Sequence, residues 1–173
     1  MVIEFETETA DRTREVGRVL AGLLQPRDTV VLTGDLGAGK TTLVQGIGRG
    51  LGVKDHIASP TFTLVREYTG RLDVAHVDVY RLERVQDVVD LALDELGSPE
   101  RVLLIEWGDV VQDLLPEDRL RVQLTTDRAD EETRRIMISA QGRSWVARWE
   151  RLEGAFEPFR AIDPDAPAGR AAR

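Results

Sequence analysis

The chain has 173 residues, of which 42% are hydrophobic and 31% charged, a composition typical of one globular domain with its own core. The net charge of −8 argues against independent tight binding to nucleic acid, and the lack of cysteine excludes disulfides, thiol nucleophiles and cysteine-based metal sites. No apolar run approaches the ~20 residues of a membrane span, and no basic-then-apolar leader opens the chain, so we expect a cytoplasmic protein without membrane contact.

The first predicted elements lead into a buried strand. Residues 2–5 form a short strand candidate, and Thr9 can cap a helix whose apolar positions recur at helical spacing as far as Leu24. Residues 30–32 are an apolar run too short for a helix, which predicts a strand covered on both faces.

A phosphate-binding loop follows directly. Residues 34–41 match G-x-x-x-x-G-K-S/T and open a helical pattern that extends to Leu51. Glycines in such a loop let polyphosphate approach the backbone N–H groups at the positive end of the helix. Lys40 supplies a point charge for the β- and γ-phosphates, and the Thr41 hydroxyl is a Mg²⁺ ligand. The spacing therefore predicts nucleotide binding.

Two further segments place polar residues near this loop. Pro60 keeps Ser59 and Thr61 out of a helix, and a strand is predicted to begin at Phe62. Thr61 follows the loop helix, where a hydroxyl can reach Mg²⁺ or the γ-phosphate, although an ordinary turn threonine fits the position equally well. Residues 72–79 predict a strand that carries Asp78 near its carboxyl end, the edge at which open α/β sheets hold their sites.

The neighbouring His76 is interpreted as a packed residue rather than a functional one.

The second acidic candidate ends another strand. Residues 101–107 read RVLLIEW, which predicts a buried strand that ends in a carboxylate, and Glu106 is thus predicted to be a Mg²⁺ ligand. Trp107 either packs against the nucleotide or caps the core.

The remaining chain predicts a helix that ends at Gly97, strands over residues 120–125 and 135–139, and a last helix that buries Trp145, Val146, Trp149 and Leu152 on one face. We therefore predict an α/β, three-layer P-loop NTPase-like fold whose mostly parallel central sheet has antiparallel strands added. The single domain spans residues 1–156, and residues 157–173 form a disordered tail.

Four stretches together resemble the TsaE (YjeE) family, the small ATPases of bacterial tRNA threonylcarbamoyladenosine biosynthesis. They are residues 34–42 (GDLGAGKTT), 59–64 (SPTFTL), 76–82 (HVDVYRL) and 105–107 (IEW). Their order and spacing match from about residue 7 to residue 139. Gly108 stands where the family often has proline.

The resemblance implies a protein that binds ATP and Mg²⁺, hydrolyses ATP slowly alone and works with TsaB and TsaD, which transfer threonylcarbamoyl to adenosine 37 of tRNA. It implies that tRNA is reached only through that complex. Thr41 and Glu106 would hold Mg²⁺, and Lys40, Thr61, Asp78 and Glu106 would be catalytic. The nucleotide-contacting residues would be Leu36, Gly37, Ala38, Gly39, Lys40, Thr41, Thr42 and Trp107.

Two other functions use similar motifs. A P-loop small-molecule kinase could employ Asp78 as a base, but such enzymes usually need an arginine-rich lid, and no clear insertion lies between Gly97 and Leu120. A GTPase switch would need an Asn-Lys-x-Asp motif, which the sequence lacks.

Overall fold

The computed structural model describes residues 1–80, 100–108, 115–126, 130 and 132–160. Within these ranges seven strands form one mixed sheet in the order β1-β7-β6-β2-β5-β4-β3. The strands are β1 (Val2–Thr7), β2 (Thr29–Thr33), β3 (Val65–Tyr68), β4 (Asp73–Asp78), β5 (Arg101–Glu106), β6 (Arg119–Thr126) and β7 (Arg134–Gln141). The helices are α1 (Ala10–Ala21), α2 (Lys40–Gly50), α3 (Arg143–Ala147) and α4 (Trp149–Arg160).

The four central strands are parallel, and the edges are antiparallel. Strand β2 lies between β6 and β5, β4 follows on the far side of β5, and all three of these pairings are parallel. Strands β1 and β7 extend one edge and β3 the other, each in antiparallel pairing. The register pairs Leu32 and Asp78 with Glu106, so the carboxyl ends of β2, β4 and β5 meet at one edge. The predicted α/β P-loop NTPase-like fold is confirmed.

Apolar residues alternate between the two faces of the central strands. Along β2, Val30 and Leu32 pack in the larger core with α1, α2 and α4, whereas Val31 packs in a second cluster on the opposite face. Helix α1 begins as predicted, because the Thr9 side chain accepts a hydrogen bond from the Arg12 N–H at 3.1 Å. It crosses α2 so closely that a Cβ on Gly46 would lie 2.1 Å from the Arg14 carbonyl oxygen. This contact fixes α1 beside the phosphate loop.

Three details of the sequence prediction are wrong. Strand β3 begins at Val65 rather than Phe62, because the Pro60 carbonyl accepts from the N–H groups of Thr63 and Leu64 and closes a turn there. The last helix is broken at Arg148, and this break shifts its phase and leaves Val146 48% exposed.

The third error is the end of the domain, which was predicted at residue 156. Helix α4 continues to Arg160, because the buried Phe159 ring packs 5.4 Å from the Phe5 ring and holds this end of the helix on β1. The predicted helix up to Gly97, part of the segment argued to lack a lid, and residues 161–173 lie outside the described residues.

A buried ion pair ties the C-terminal helices to the start of β2. Arg148 donates two hydrogen bonds to the Asp28 carboxylate, at 2.6 and 2.9 Å, and the Gln25 N–H donates a third at 2.8 Å. We expect Asp28→Ala to lower the free energy of unfolding by about 3 kcal/mol, because it leaves a largely buried guanidinium without its counter-charge. Urea denaturation followed by circular dichroism measures the change.

The matched control is Glu6→Ala, which removes a partner of Arg135 from a pair whose side chains are 61% and 50% exposed. Solvent-exposed ion pairs contribute less than about 1 kcal/mol. Equal losses of stability in the two variants would contradict a structural role for the buried pair.

Candidate functional site at the carboxyl edge of the sheet

The loop between β2 and α2 has the backbone of a phosphate cradle. Gly34, Gly37 and Gly39 have φ values of 134°, 79° and 103°, which side chains disfavour. A Cβ on Gly34 would also lie 2.1 Å from the Leu124 carbonyl oxygen, so β6 closes against the loop from behind. Helix α2 starts at the end of this loop, and its N-terminus gives the site a positive dipole end.

Lys40 is folded into its own loop. Its side chain is almost fully buried, and Nζ donates to the carbonyl oxygens of Gly34 at 2.6 Å and Asp35 at 2.9 Å. The ammonium also lies 3.7 Å from the centre of the Trp107 ring, a cation–π distance. Trp107 holds this position with a φ of 62°, which is uncommon for a bulky residue. Trp107 also packs against the apolar cluster that contains Val31 and Leu103, so it caps that cluster as well as contacting the phosphate-loop lysine. Packing of its ring against the nucleotide stays a prediction.

Glu106 ends β5 beside the start of α2. Its Oε1 accepts from the Thr41 hydroxyl at 2.8 Å and lies 2.8 Å from Nε2 of His76, and its Oε2 lies 3.2 Å from the same hydroxyl. Glu106 is 2% exposed. A hydroxyl and a carboxylate held together are the oxygen donors that a hard cation such as Mg²⁺ takes. The two residues predicted as metal ligands are thus in contact.

Asp78 organises the segment that follows the α2 helix. Its Oδ2 accepts from the hydroxyls of Ser59 and Thr61, each at 2.8 Å, and its Oδ1 accepts from the Tyr80 N–H at 3.0 Å. Asp78 is 2% exposed, and the Leu64 carbonyl accepts from its N–H. One carboxylate therefore fixes the Ser59–Thr61 loop against the end of β4.

A cavity of about 420 Å³ brings nearly all of the predicted site residues together. It is lined by Leu36, Gly37, Gly39, Lys40, Thr41, Thr42, Ser59, Thr61, Asp78, Tyr80, Glu106 and Trp107. Of the predicted residues, Ala38 is missing from this lining, because the residue is fully buried.

A second cavity of about 360 Å³ shares Gly37, Gly39 and Thr42 with the first and opens on the other side of the loop. Its remaining lining comes from Thr9, Ala10, Asp11, Thr13, Arg14, Glu132 and Arg134. Arg134 of β7 donates to the Gly37 carbonyl at 3.5 Å. The nearby Asp130 accepts from the Thr133 hydroxyl and the Glu132 N–H, which hold the pKa of that carboxyl below its usual range. No sequence motif marks this cavity, because its residues come from the start of α1, the phosphate loop and the segment that leads into β7.

Two exposed apolar side chains, Leu36 and Tyr80, line the first cavity, and the exposed Phe62 follows its lining residue Thr61 in the sequence. Leu36 is 80%, Phe62 84% and Tyr80 51% exposed.

Among the residues the structure describes, no helix combines the length and hydrophobicity needed to cross a bilayer.

The sheet order, the glycine-rich loop and the Thr41–Glu106 contact define the α/β class of P-loop NTPase-like proteins. The family model for the threonylcarbamoyl adenosine biosynthesis protein TsaE matches residues 7–136. The chain belongs to the TsaE family, as its motifs indicated, and this is a family of tRNA threonylcarbamoyladenosine biosynthesis.

Relatives and a solved structure agree over most of the chain. The TsaE protein of Bacillus subtilis is 37% identical over 151 residues, which cover 87% of this chain and 93% of the relative. That of Streptomyces coelicolor is 42% identical, with 77% and 93% covered. The crystal structure of YdiB from Bacillus subtilis superposes with a TM-score of 0.76 and 32% identity, covering 89% of this chain and 95% of the other.

Proposed function

We propose that this protein is a Mg²⁺-dependent ATPase that supports threonylcarbamoyladenosine formation at adenosine 37 of tRNA and acts with TsaB and TsaD homologues. The observation that carries the proposal is the contact between Thr41 and Glu106 beside a loop whose glycines have positive φ. A phosphate cradle beside a paired hydroxyl and carboxylate is the arrangement that P-loop NTPases use for a nucleotide and its metal.

The two cavities divide the nucleotide between them. The β- and γ-phosphates would lie against residues 36–42 in the first cavity, where Lys40 would exchange the carbonyls of Gly34 and Asp35 for phosphate oxygens. The base and ribose would lie in the second cavity, between α1 and β7, because it opens on the other side of the same loop. Arg14 and Arg134 line it together with Asp11 and Glu132, so the lining offers hydrogen-bond donors and acceptors for a ribose and a base.

Thr41 and Glu106 would hold the metal. Among the described residues there is no group of three or more acidic, histidine or cysteine side chains that could bind an ion by themselves. This fits Mg²⁺, which usually takes one or two protein oxygens and completes its shell with phosphate and water. When bound, the ion neutralises charge that develops on the phosphate oxygens.

Thr61 and Asp78 act as a switch rather than as part of the cradle. The Asp78 carboxylate now holds the Thr61 hydroxyl, and both side chains face the cavity side that the γ-phosphate would occupy. A segment that exchanges such bonds for phosphate or metal contacts changes its order between the ATP state and the hydrolysed state. The protein surface would differ before and after hydrolysis.

TsaB and TsaD homologues would bind that surface and distinguish its two states. Leu36 and Tyr80, which line the cavity, and Phe62, which follows Thr61, are exposed and support a protein partner, because aromatic and aliphatic side chains are typical anchors of interfaces. The net charge of −8 supports contact with tRNA only through the complex.

Reconstituted tRNA modification tests the proposal. We expect the wild-type protein to sustain several turnovers of threonylcarbamoyl transfer with TsaB and TsaD homologues, ATP and Mg²⁺. Thr61→Ala and Asp78→Ala should abolish this support yet leave ATP affinity within about tenfold, or ~1.4 kcal/mol, because neither residue belongs to the cradle.

The matched control is Thr63→Ala. Thr63 lies in the same turn, but its side chain is exposed and bonds only weakly to the Pro60 carbonyl at 3.5 Å. Its variant should modify tRNA as the wild type does. If the wild-type protein neither stimulates transfer nor hydrolyses ATP with its partners, the proposed function is wrong. If both variants sustain wild-type modification, the switch lies elsewhere.

A further inference from the structure

His76 is a fully buried polar residue behind the proposed metal ligand. It lies on β4, two residues before Asp78 and on the same face of the strand, and its Nε2 is 2.8 Å from Oε1 of Glu106. Its other nitrogen, Nδ1, has no hydrogen-bond partner in the part of the chain that the structure describes. Burying a histidine with one orphaned nitrogen costs free energy that an apolar side chain would avoid.

The two ring nitrogens have different surroundings, and this difference distinguishes the two neutral tautomers of the ring. The neutral form protonated at Nδ1 would turn the Nε2 lone pair towards a carboxylate oxygen, which is repulsive. The neutral ring with its proton on Nε2 satisfies the contact, because it donates to Glu106 and leaves only a weakly costly acceptor unpaired.

We propose that His76 is a positioning residue that sets the orientation of the Glu106 carboxylate for the metal. The inference rests on the proposed function and deepens it. The His76 Nε2–H on β4 and the Thr41 hydroxyl on α2 both donate to Oε1, so two elements fix the orientation of the carboxylate. Among the described residues, Oε2 accepts only from the Thr41 hydroxyl, at the longer distance of 3.2 Å. Its lone pairs therefore remain available to the cation or to a water bound to the cation.

A carboxylate fixed in this way loses less rotational freedom when the metal binds. Outer hydrogen bonds to metal ligands typically change metal affinity by about 10- to 100-fold. His76 would never touch the nucleotide, because it does not line either cavity. Its loss should therefore change the Mg²⁺ dependence of nucleotide binding and leave metal-free binding alone.

The first test observes the ring in the nucleotide-free protein. The chain has two histidines, and the exposed His56 can be replaced by glutamine, so that a single pair of ring nitrogen signals remains. We expect ¹⁵N NMR to show a protonated Nε2 and a bare Nδ1. Glu106→Gln should shift these signals, whereas Glu67→Gln, at an exposed position on β3, should not. A Nδ1-protonated ring, or signals insensitive to Glu106, would overturn the inference.

The second test separates positioning from packing. His76→Gln retains an N–H donor the same number of bonds from Cα, and His76→Leu removes it. Calorimetric titration of a non-hydrolysable ATP analogue should show that His76→Leu needs about tenfold more Mg²⁺ for half-saturation, with metal-free affinity unchanged and His76→Gln close to wild type.

Val74→Ala is the control for a loosened core, because Val74 is buried on the same strand and face. An equal change of Mg²⁺ dependence in Val74→Ala, or equal effects of the glutamine and leucine variants, would overturn the positioning role. If nucleotide binding by the wild-type protein does not respond to Mg²⁺, the proposed function fails as well. The ring signals then tell whether the His76–Glu106 contact itself exists.

Discussion

Lys40→Ala is expected to weaken ATP binding by about a hundredfold, or ~3 kcal/mol, the range for a hydrogen bond to a charged group. The loss is large because Lys40 is the phosphate-loop cation of the first cavity, and its removal leaves the β- and γ-phosphates without their point charge. Calorimetric titration with ATP and Mg²⁺ measures the affinity, and circular dichroism checks the fold.

Lys54→Ala is the matched control, because Lys54 is the other lysine of the chain and lies exposed in the turn after α2. Its variant should bind ATP as the wild type does. Unchanged affinity and turnover in Lys40→Ala would show that residues 34–41 are a glycine-rich turn without a nucleotide function.

Glu106→Gln has the second large expected effect. The substitution keeps the shape and volume of the side chain but removes the charge where the metal would sit, and the amide cannot accept from Thr41 and His76 with the strength of a carboxylate. We expect ATP to bind still, while hydrolysis falls by about 10²-fold or more, within the range for losing one preorganised electrostatic group. Steady-state release of phosphate measures the rate.

The effect should be specific to this carboxylate. Glu67→Gln, which changes an exposed glutamate at the other edge of the sheet, should hydrolyse ATP at the wild-type rate. A fully active Glu106→Gln protein would make Glu106 a strand terminus whose contact with Thr41 is structural only.

The sequence alone predicted the features that depend on residues close together in the chain. The loop needs glycine at particular positions, and a four-residue apolar run before Glu106 predicts a central strand, because parallel strands are buried on both faces. The carboxyl edge of the sheet then brings Asp78 and Glu106 into register. These rules apply independently of the tertiary contacts that the rest of the chain makes.

Contacts that depend on three-dimensional placement were not predictable in this way. His76 alternates with Val77 on β4, and alternation alone cannot tell a packed histidine from one that meets a carboxylate of the next strand. The second cavity joins α1 with β7, and no local pattern links residues so far apart. Phe62 fits a strand by composition, but the turn that Pro60 closes leaves it exposed.

A crystal structure of the protein with a non-hydrolysable ATP analogue and Mg²⁺ would show where the nucleotide and its metal bind. We expect phosphates along residues 36–42, the metal between Thr41 and Glu106, and the base in the cavity lined by Arg14 and Arg134. Lys40 should have left the Gly34 and Asp35 carbonyls for phosphate oxygens. A nucleotide bound elsewhere, or one bound in this loop while the metal avoids both Thr41 and Glu106, would contradict this arrangement.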